Sequence, residues 1–415
     1  MKSILKRGKN KEEDYPKKFN GFLEFNHKGI ISNSKAEEEK LEGCEISNTL
    51  YLEALQKETP ISMLLTGRYG YQISSVVNER FSNSLASSLF FGFEDDFPSN
   101  FEISSIELPQ QYKDSKSLLE GKNFYQANEI RIKSYLDKVL KNKTLAFVFL
   151  DNNPFILGLM IDVINYIKES KVQPVLLIHL PHDEEEINEE FSCLVFIYNL
   201  MKKDASFNIP FLVIDEKYSA KVNSNILKEE LRELIYHREA NVICDIILSM
   251  SNQSIFYQTD RSNFTRIFQD TQGICQLFSF DIYDNNQDIS HLLNRYDKAC
   301  SILSKEKPTR GFVIIQPGKE GLKTKIYQKV RDFYENSDII ISILEKRSNG
   351  ALLRGIYCFV GVPKSILERY SKLEKMVILL YDEENNIIQV TKEKLFEEAL
   401  NAKRYEIQII EESRK

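Results

Sequence analysis

Thr144–Leu180 reads TLAFVFLDNNPFILGLMIDVINYIKESKVQPVLLIHL. An unbroken apolar run, Leu145–Leu150, stops at the polar break Asp151-Asn152-Asn153-Pro154. Apolar residues then recur at helical spacing: Ile156, Leu159, Met160, Val163, Ile164 and Ile167. Pro174–Ile178 is a second unbroken apolar run. Run, turn, amphipathic helix and run is the pattern of a parallel βαβ crossover, whose strands are buried on both faces. Parallel sheets bind ligands at the carboxyl ends of their strands, which makes Asp151, Asn152 and Asn153 candidate binding residues. The turn holds no glycine before Gly158. A phosphate-gripping loop needs glycines so that backbone N–H groups can close on the anion. The pattern is that of a nucleotide-binding architecture without its usual loop chemistry.

Working outward, Ile61–Leu65 is another apolar run, followed by Thr66-Gly67-Arg68-Tyr69-Gly70-Tyr71 and a helix through Val76 and Val77 to Phe81. Gly67 and Gly70 stand where a phosphate loop opens a helix, with Arg68 and Tyr71 as further candidates for ligand contact. Two glycines among bulky neighbours fit an ordinary strand-to-helix turn better. Leu85–Phe93 reads as a strand ending in Glu94-Asp95-Asp96, and 99–121 as irregular. Asn123–Lys141 reads as a helix that buries Ile130, Ile132, Tyr135, Leu136, Val139 and Leu140. Asn225–Met250 is a long helix, apolar nearly all round from Ala240 to Leu248, as expected between two layers. Strand and helix patterns alternate from Ile274 to Val362, and a hairpin, helix and strand follow in the last fifty residues. The fold class is α/β: a Rossmann-like parallel-sheet domain (60–224), a central buried helix (225–252), a smaller mixed α/β domain (253–364), and a C-terminal β-α-β addition (365–415). Residues 1–59 form an N-terminal extension with a basic, polar start.

Composition narrows the function classes. With 415 residues two domains are expected, and 42% hydrophobic residues supply a sizeable core. A net charge of -6 asks for no nucleic-acid partner. Six cysteines lie scattered without a CxxC pair, as in a reduced cytoplasmic protein. There is no signal-peptide pattern at Met1 and no apolar run long enough to span a bilayer, so a transmembrane segment is not expected. No GxSxG elbow and no P-loop is present. His179 and His182, beside Asp183 and Glu184, could make a metal corner; a solvated loop is the simpler reading, and no metal is expected.

Certain later pieces resemble the tubulin/FtsZ superfamily. Asn263–Phe268, Gly273 and Cys275–Phe278 look like the segment after that family's catalytic loop. Thr309–Ile315 looks like its next strand entry, and Asp338–Ser342 with Arg354–Gly361 like its closing strand pair. The resemblance implies GTP or GDP at a subunit junction, head-to-tail filaments with itself or other tubulin/FtsZ-like subunits, and a cytoskeletal or division-related role. By position, Asn241 matches the central-helix asparagine on the guanine side, although a single internal hydrogen bond explains it equally well. Asp260 matches the first acidic place of the catalytic loop, and Asn263 the second. Asparagine cannot carry the charge that polarises water. The glycine-rich loop falls on Asp151–Leu157, where Asn, Pro and large apolar residues restrict φ and fill space. The resemblance therefore implies a member with degenerate loops and weak or lost hydrolysis, either a pseudo-GTPase or one that holds nucleotide by an altered mode. A non-filamentous scaffold without nucleotide, binding protein partners through its N- and C-terminal additions, is the alternative. An unrelated Rossmann-type enzyme is the third reading, and it requires an open cleft with a perturbed base.

Overall fold

The computed structural model describes residues 61–81, 88–97, 103–181, 187–202, 209–216, 227–250, 267–268, 273–282, 290, 310–316, 322–333, 335, 338–343, 351–358, 364–373 and 375–408. The first half alternates strand and helix: β1 (Ile61–Thr66), α1 (Gly67–Phe81), β2 (Ser88–Gly92), β3 (Ser104–Glu107), α2 (Leu118–Leu140), β4 (Leu145–Leu150), α3 (Pro154–Glu169), β5 (Gln173–Leu180), α4 (Ile187–Lys202) and β6 (Pro210–Asp215). The second half holds α5 (Lys228–Met250), β7 (Gly273–Ile282), β8 (Arg310–Gln316), α6 (Leu322–Phe333), β9 (Asp338–Ile343) and β10 (Ala351–Cys358). A C-terminal unit follows, with α7 (Lys364–Leu373), β11 (Val377–Tyr381), β12 (Ile387–Ile388), α8 (Leu395–Ala399) and β13 (Arg404–Gln408).

Among the described residues ten strands form one sheet, in the order β3-β2-β1-β4-β5-β6-β7-β10-β8-β9. The first six are parallel, and β7 joins β6 in parallel, so both halves share the sheet. Only β10 runs antiparallel, to β7 and β8. β4 shows why its run is unbroken. Ala146, Val148 and Leu150 enter one core with α2, α3 and α4, while Leu145, Phe147 and Phe149 enter the opposite core with α1 and α5. Both faces exclude water, so no polar residue is tolerated along the strand.

The strand order reverses between β1 and β4, and their following helices leave on opposite faces. That divergence is a topological switch point and opens a crevice at the carboxyl ends of the two strands. Helix α5 lies across the second face, where Ala240, Val242, Ile243 and Ile246 pack with Phe268, Phe312 and Ile314.

Several sequence expectations are corrected. β3 and the first turn of α2 occupy part of the segment read as irregular. Ile130 is 88% exposed rather than buried. α2 bends at Asn128 (φ -120°, ψ 15°), which shifts the helical phase; Ile132, Leu136, Val139 and Leu140 point inward while Ile130 points out. α2 and α3 cross backbone to backbone. A Cβ on Gly158 would lie 2.7 Å from the Leu118 carbonyl carbon, and one on Gly121 would lie 2.5 Å from the Leu159 nitrogen. The structural use of Gly158 is this crossing. α7 was not expected, and the small sheet β12-β11-β13 completes the C-terminal unit.

Candidate functional site

A cleft of ≈ 910 Å³ opens at the switch point. Gly67, Arg68 and Tyr71 of α1, Asp151, Asn153 and Pro154 after β4, and Asp95 and Asp96 after β2 line it. Residues 113–116 form one further wall, and Asn188 and Glu189 of α4 another. Among the candidate binding residues, Gly67, Arg68, Tyr71, Asp151 and Asn153 thus come together. Gly70 packs on the Leu65 backbone, and Asn152 accepts from Cys193 Sγ at 3.2 Å. Asn241 is buried in α5 and is absent from the cleft wall. Asp260 and Asn263 lie outside the described residues.

The register of β1 and β4 fixes the site. Thr66 Oγ1 donates to the Phe149 carbonyl at 2.8 Å and accepts from the Asp151 N–H at 2.7 Å. This turns the Asp151 carboxylate onto the N-terminus of α1. Oδ2 faces the Tyr69 N–H at 3.5 Å, and Oδ1 accepts from the Asn153 N–H at 3.0 Å. Gly67 adopts φ +54°, and a Cβ there would lie 2.6 Å from Asp151 Cγ. Only glycine meets both demands. The N-terminus of α3 is likewise taken: Asn153 Oδ1 accepts from Phe155 N–H (2.9 Å) and Ile156 N–H (3.2 Å), while Pro154 offers no donor. At the helix ends that follow β1 and β4, side-chain oxygens therefore face donors an anion would use, one N–H of α1 and two of α3.

Charge reinforces the geometry. Asp95, Asp96, Asp114, Asp151 and Glu189 face Arg68, Lys113 and Lys116. Lys113 is bound to Asp95 at 2.5 Å, which lowers the Asp95 pKa. Burial raises the pKa of Asp96 and of Asp151. A phosphate chain at these helix ends would compete with Asp151 and Asn153 for the same donors.

Behind the cleft lies a polar cluster that sequence reading missed. His179, read as part of a solvated loop or metal corner, is buried at the end of β5. Its Nε2 donates to Glu239 Oε2 at 3.0 Å, and Nδ1 faces Glu216 Oε1 at 3.6 Å. Arg232 Nε donates to Glu216 at 2.8 Å, and Tyr69 OH to Glu239 at 2.6 Å. The Tyr69 ring packs against both His179 and Tyr236, at centroid distances of 4.4 and 4.8 Å. Burial alone would lower the His179 pKa; Glu239 and Glu216 outweigh it and raise it to about 9. The same cation lowers the Glu216 pKa against the cost of burial. The cluster ties β5, β6, α1 and α5 into one block. Among the described residues no group of His, Cys, Asp and Glu is placed to hold a metal ion. No helix among them is long and apolar enough to cross a membrane.

No protein-family model and no curated protein matches the chain. Solved structures do. FtsZ from M. jannaschii aligns with TM-score 0.59 and 10% identity over 78% of this chain and 92% of its own. CetZ from Methanosaeta thermophila gives 0.57 and 16% over 76% and 90%. A GTPγS-form protofilament of TubZ from Bacillus thuringiensis serovar israelensis gives 0.58 and 14% over 75% and 89%. With six parallel strands in the order 3-2-1-4-5-6 and α5 across the junction of the two halves, the chain has a tubulin/FtsZ-superfamily fold.

Proposed function

We propose that the chain is a tubulin/FtsZ-like cytoskeletal protein that assembles head to tail and hydrolyses GTP weakly or not at all. One observation carries the reading. Asp151 and Asn153 place side-chain oxygens on the N-termini of α1 and α3, the positions that the sequence resemblance reserves for phosphate. The fold around them is intact. Head-to-tail contact is heterologous and propagates without closing, so assembly does not require hydrolysis. The CetZ2 and TubZ structures are protofilaments, which favours assembly as the use of this fold.

Sedimentation of the purified chain with and without GTP, GDP or ATP, with phosphate release followed in the same samples, tests the reading. Pelleting that is independent of added nucleotide and free of phosphate release supports it. GTP turnover that rises with polymer overturns the loss of hydrolysis. A chain that stays monomeric at every concentration overturns assembly and leaves the scaffold. The scaffold has its own support in Val377 and Ile387, which are 39% and 55% exposed on the C-terminal sheet.

A further inference from the structure

The C-terminal unit touches two walls of the cleft through one short segment. On the α2 side, Ser117 Oγ donates to the Ala402 carbonyl at 2.9 Å, Lys122 Nζ to Asn401 at 2.9 Å, and Lys403 Nζ pairs with Glu120 at 2.7 Å. Ser117 directly follows the wall formed by residues 113–116. On the α4 side, Tyr405 OH donates to the Asn188 carbonyl at 3.1 Å and also meets Ser192 Oγ. Asn188 is itself part of the other wall. Residues 401–405 therefore hold Asn188 of one wall directly and the other wall through Glu120, which pairs with Lys403 and accepts from Ser115 Oγ at 2.6 Å. α7 adds a second hold: the Arg369 guanidinium, buried, pairs with Glu190 at 2.8 Å and donates to the Pro181 carbonyl at 2.9 Å.

We infer that residues 401–405 are a strap that couples the 113–117 wall of the cleft to the first turn of α4, so that the position of the C-terminal unit and the state of the cleft are linked. The ties to α2 are one hydrogen bond to a backbone carbonyl and surface contacts of Lys122 and Lys403, whereas the α4 side adds the buried Tyr405 ring and the buried Arg369–Glu190 pair, so the α2 side is the one released first. A ligand or neighbouring subunit that spreads the walls must strain the strap. By reciprocity, a partner that displaces the C-terminal unit changes what the cleft accepts. The strap is independent of whether the chain assembles.

Hydrogen exchange of the full chain tests the coupling by cutting the tie on one wall and reading the other. Ser117→Ala, Lys122→Ala and Lys403→Ala together cut the strap's ties to α2 alone; exchange over residues 187–195 is expected to rise about tenfold. Tyr405→Phe removes the strap's own hydrogen bonds to α4 and leaves the Arg369 hold; exchange over 113–122 is expected to rise, by less. A rise confined to the wall whose own tie was cut, or no rise at all, overturns the strap. Lys403 is a surface side chain, so Lys403→Ala leaves a folded chain even where a buried substitution does not.

Discussion

Raising the pH should weaken this fold through one residue, His179. In the unfolded chain its imidazole titrates near 6.5, and in the fold near 9. The folded state therefore keeps a proton that the unfolded state has lost throughout the interval. Stability from this group is complete below about 6.5 and is lost as pH rises through 9. At 1.36 kcal/mol per pH unit the whole interval is worth on the order of 3 kcal/mol. His179 is shielded from solvent and salt by Tyr69, Tyr236 and both glutamates, so little screening applies. The assay is urea unfolding followed by circular dichroism at intervals from pH 6 to 9.5, on the wild type and on His179→Gln. The variant is less stable at pH 6, because Glu216 and Glu239 lose their shared cation. It should also lose the slope. Subtracting the two curves removes the groups that do not touch His179. A difference curve that is flat from pH 6.5 to 9 would refute the assignment of the proton to His179, and a curve that rises would invert the sign of the coupling.

Other substitutions probe the site and its support. Asp151→Ser clears the N-terminus of α1, so tripolyphosphate should shift its thermal unfolding with about tenfold higher affinity than in wild type, the effect of about 1 to 2 kcal/mol expected of an anion at a helix terminus; calorimetric titration checks it. Asn153→Ala orphans the Phe155 and Ile156 N–H groups and should cost about 1 kcal/mol in chemical unfolding. Gly158→Ala drives a methyl into the Leu118 carbonyl and should cost about 3 kcal/mol or more, read as a lower melting temperature, because backbone cannot yield as a side chain does. Arg369→Ala strands the buried Glu190 carboxylate and should cost about 3 to 5 kcal/mol, with Arg369→Lys recovering part of it.

The legible parts of the chain are those whose burial is two-sided. β4 could be read because no polar residue survives between two cores, β1 and β5 because their buried polar residues, Ser62, Thr66 and His179, are outnumbered by apolar ones, and α3 because eleven of its sixteen residues are buried. β3 escaped because Ser104-Ser105-Ile106-Glu107 is an edge strand that buries only Ile106. The first turn of α2 does not stand out in the sequence because it holds Gly121, which the close crossing with α3 requires. α7 hid its inward face behind Arg369, a buried charge whose carboxylate partner lies 179 positions earlier. At the site, Gly67, Asp151 and Asn153 were marked by their place at strand ends. Their mutual geometry depends on the register of β1 against β4, which periodicity does not encode. The His179 cluster joins positions 69, 179, 216, 232 and 239, and no local pattern announces it.

The cluster and the capped helix ends bear on one physical question, how a sheet of this topology stays ordered at its switch point. Diverging helices leave donors at two N-termini and polar side chains at three strand ends, and each must find a partner. A bound polyanion is one solution. Here Asp151 supplies a carboxylate to α1, Asn153 an amide oxygen to α3, and His179 a cation shared by Glu216 and Glu239. The Tyr69 ring fills the space between α1 and α5. Each of these groups comes from the chain itself, so much of the switch point's polar demand is met before any ligand arrives. An anion entering the cleft must first displace Asp151 from donors it already holds, and that displacement cost sets phosphate affinity below what the open cleft alone would suggest.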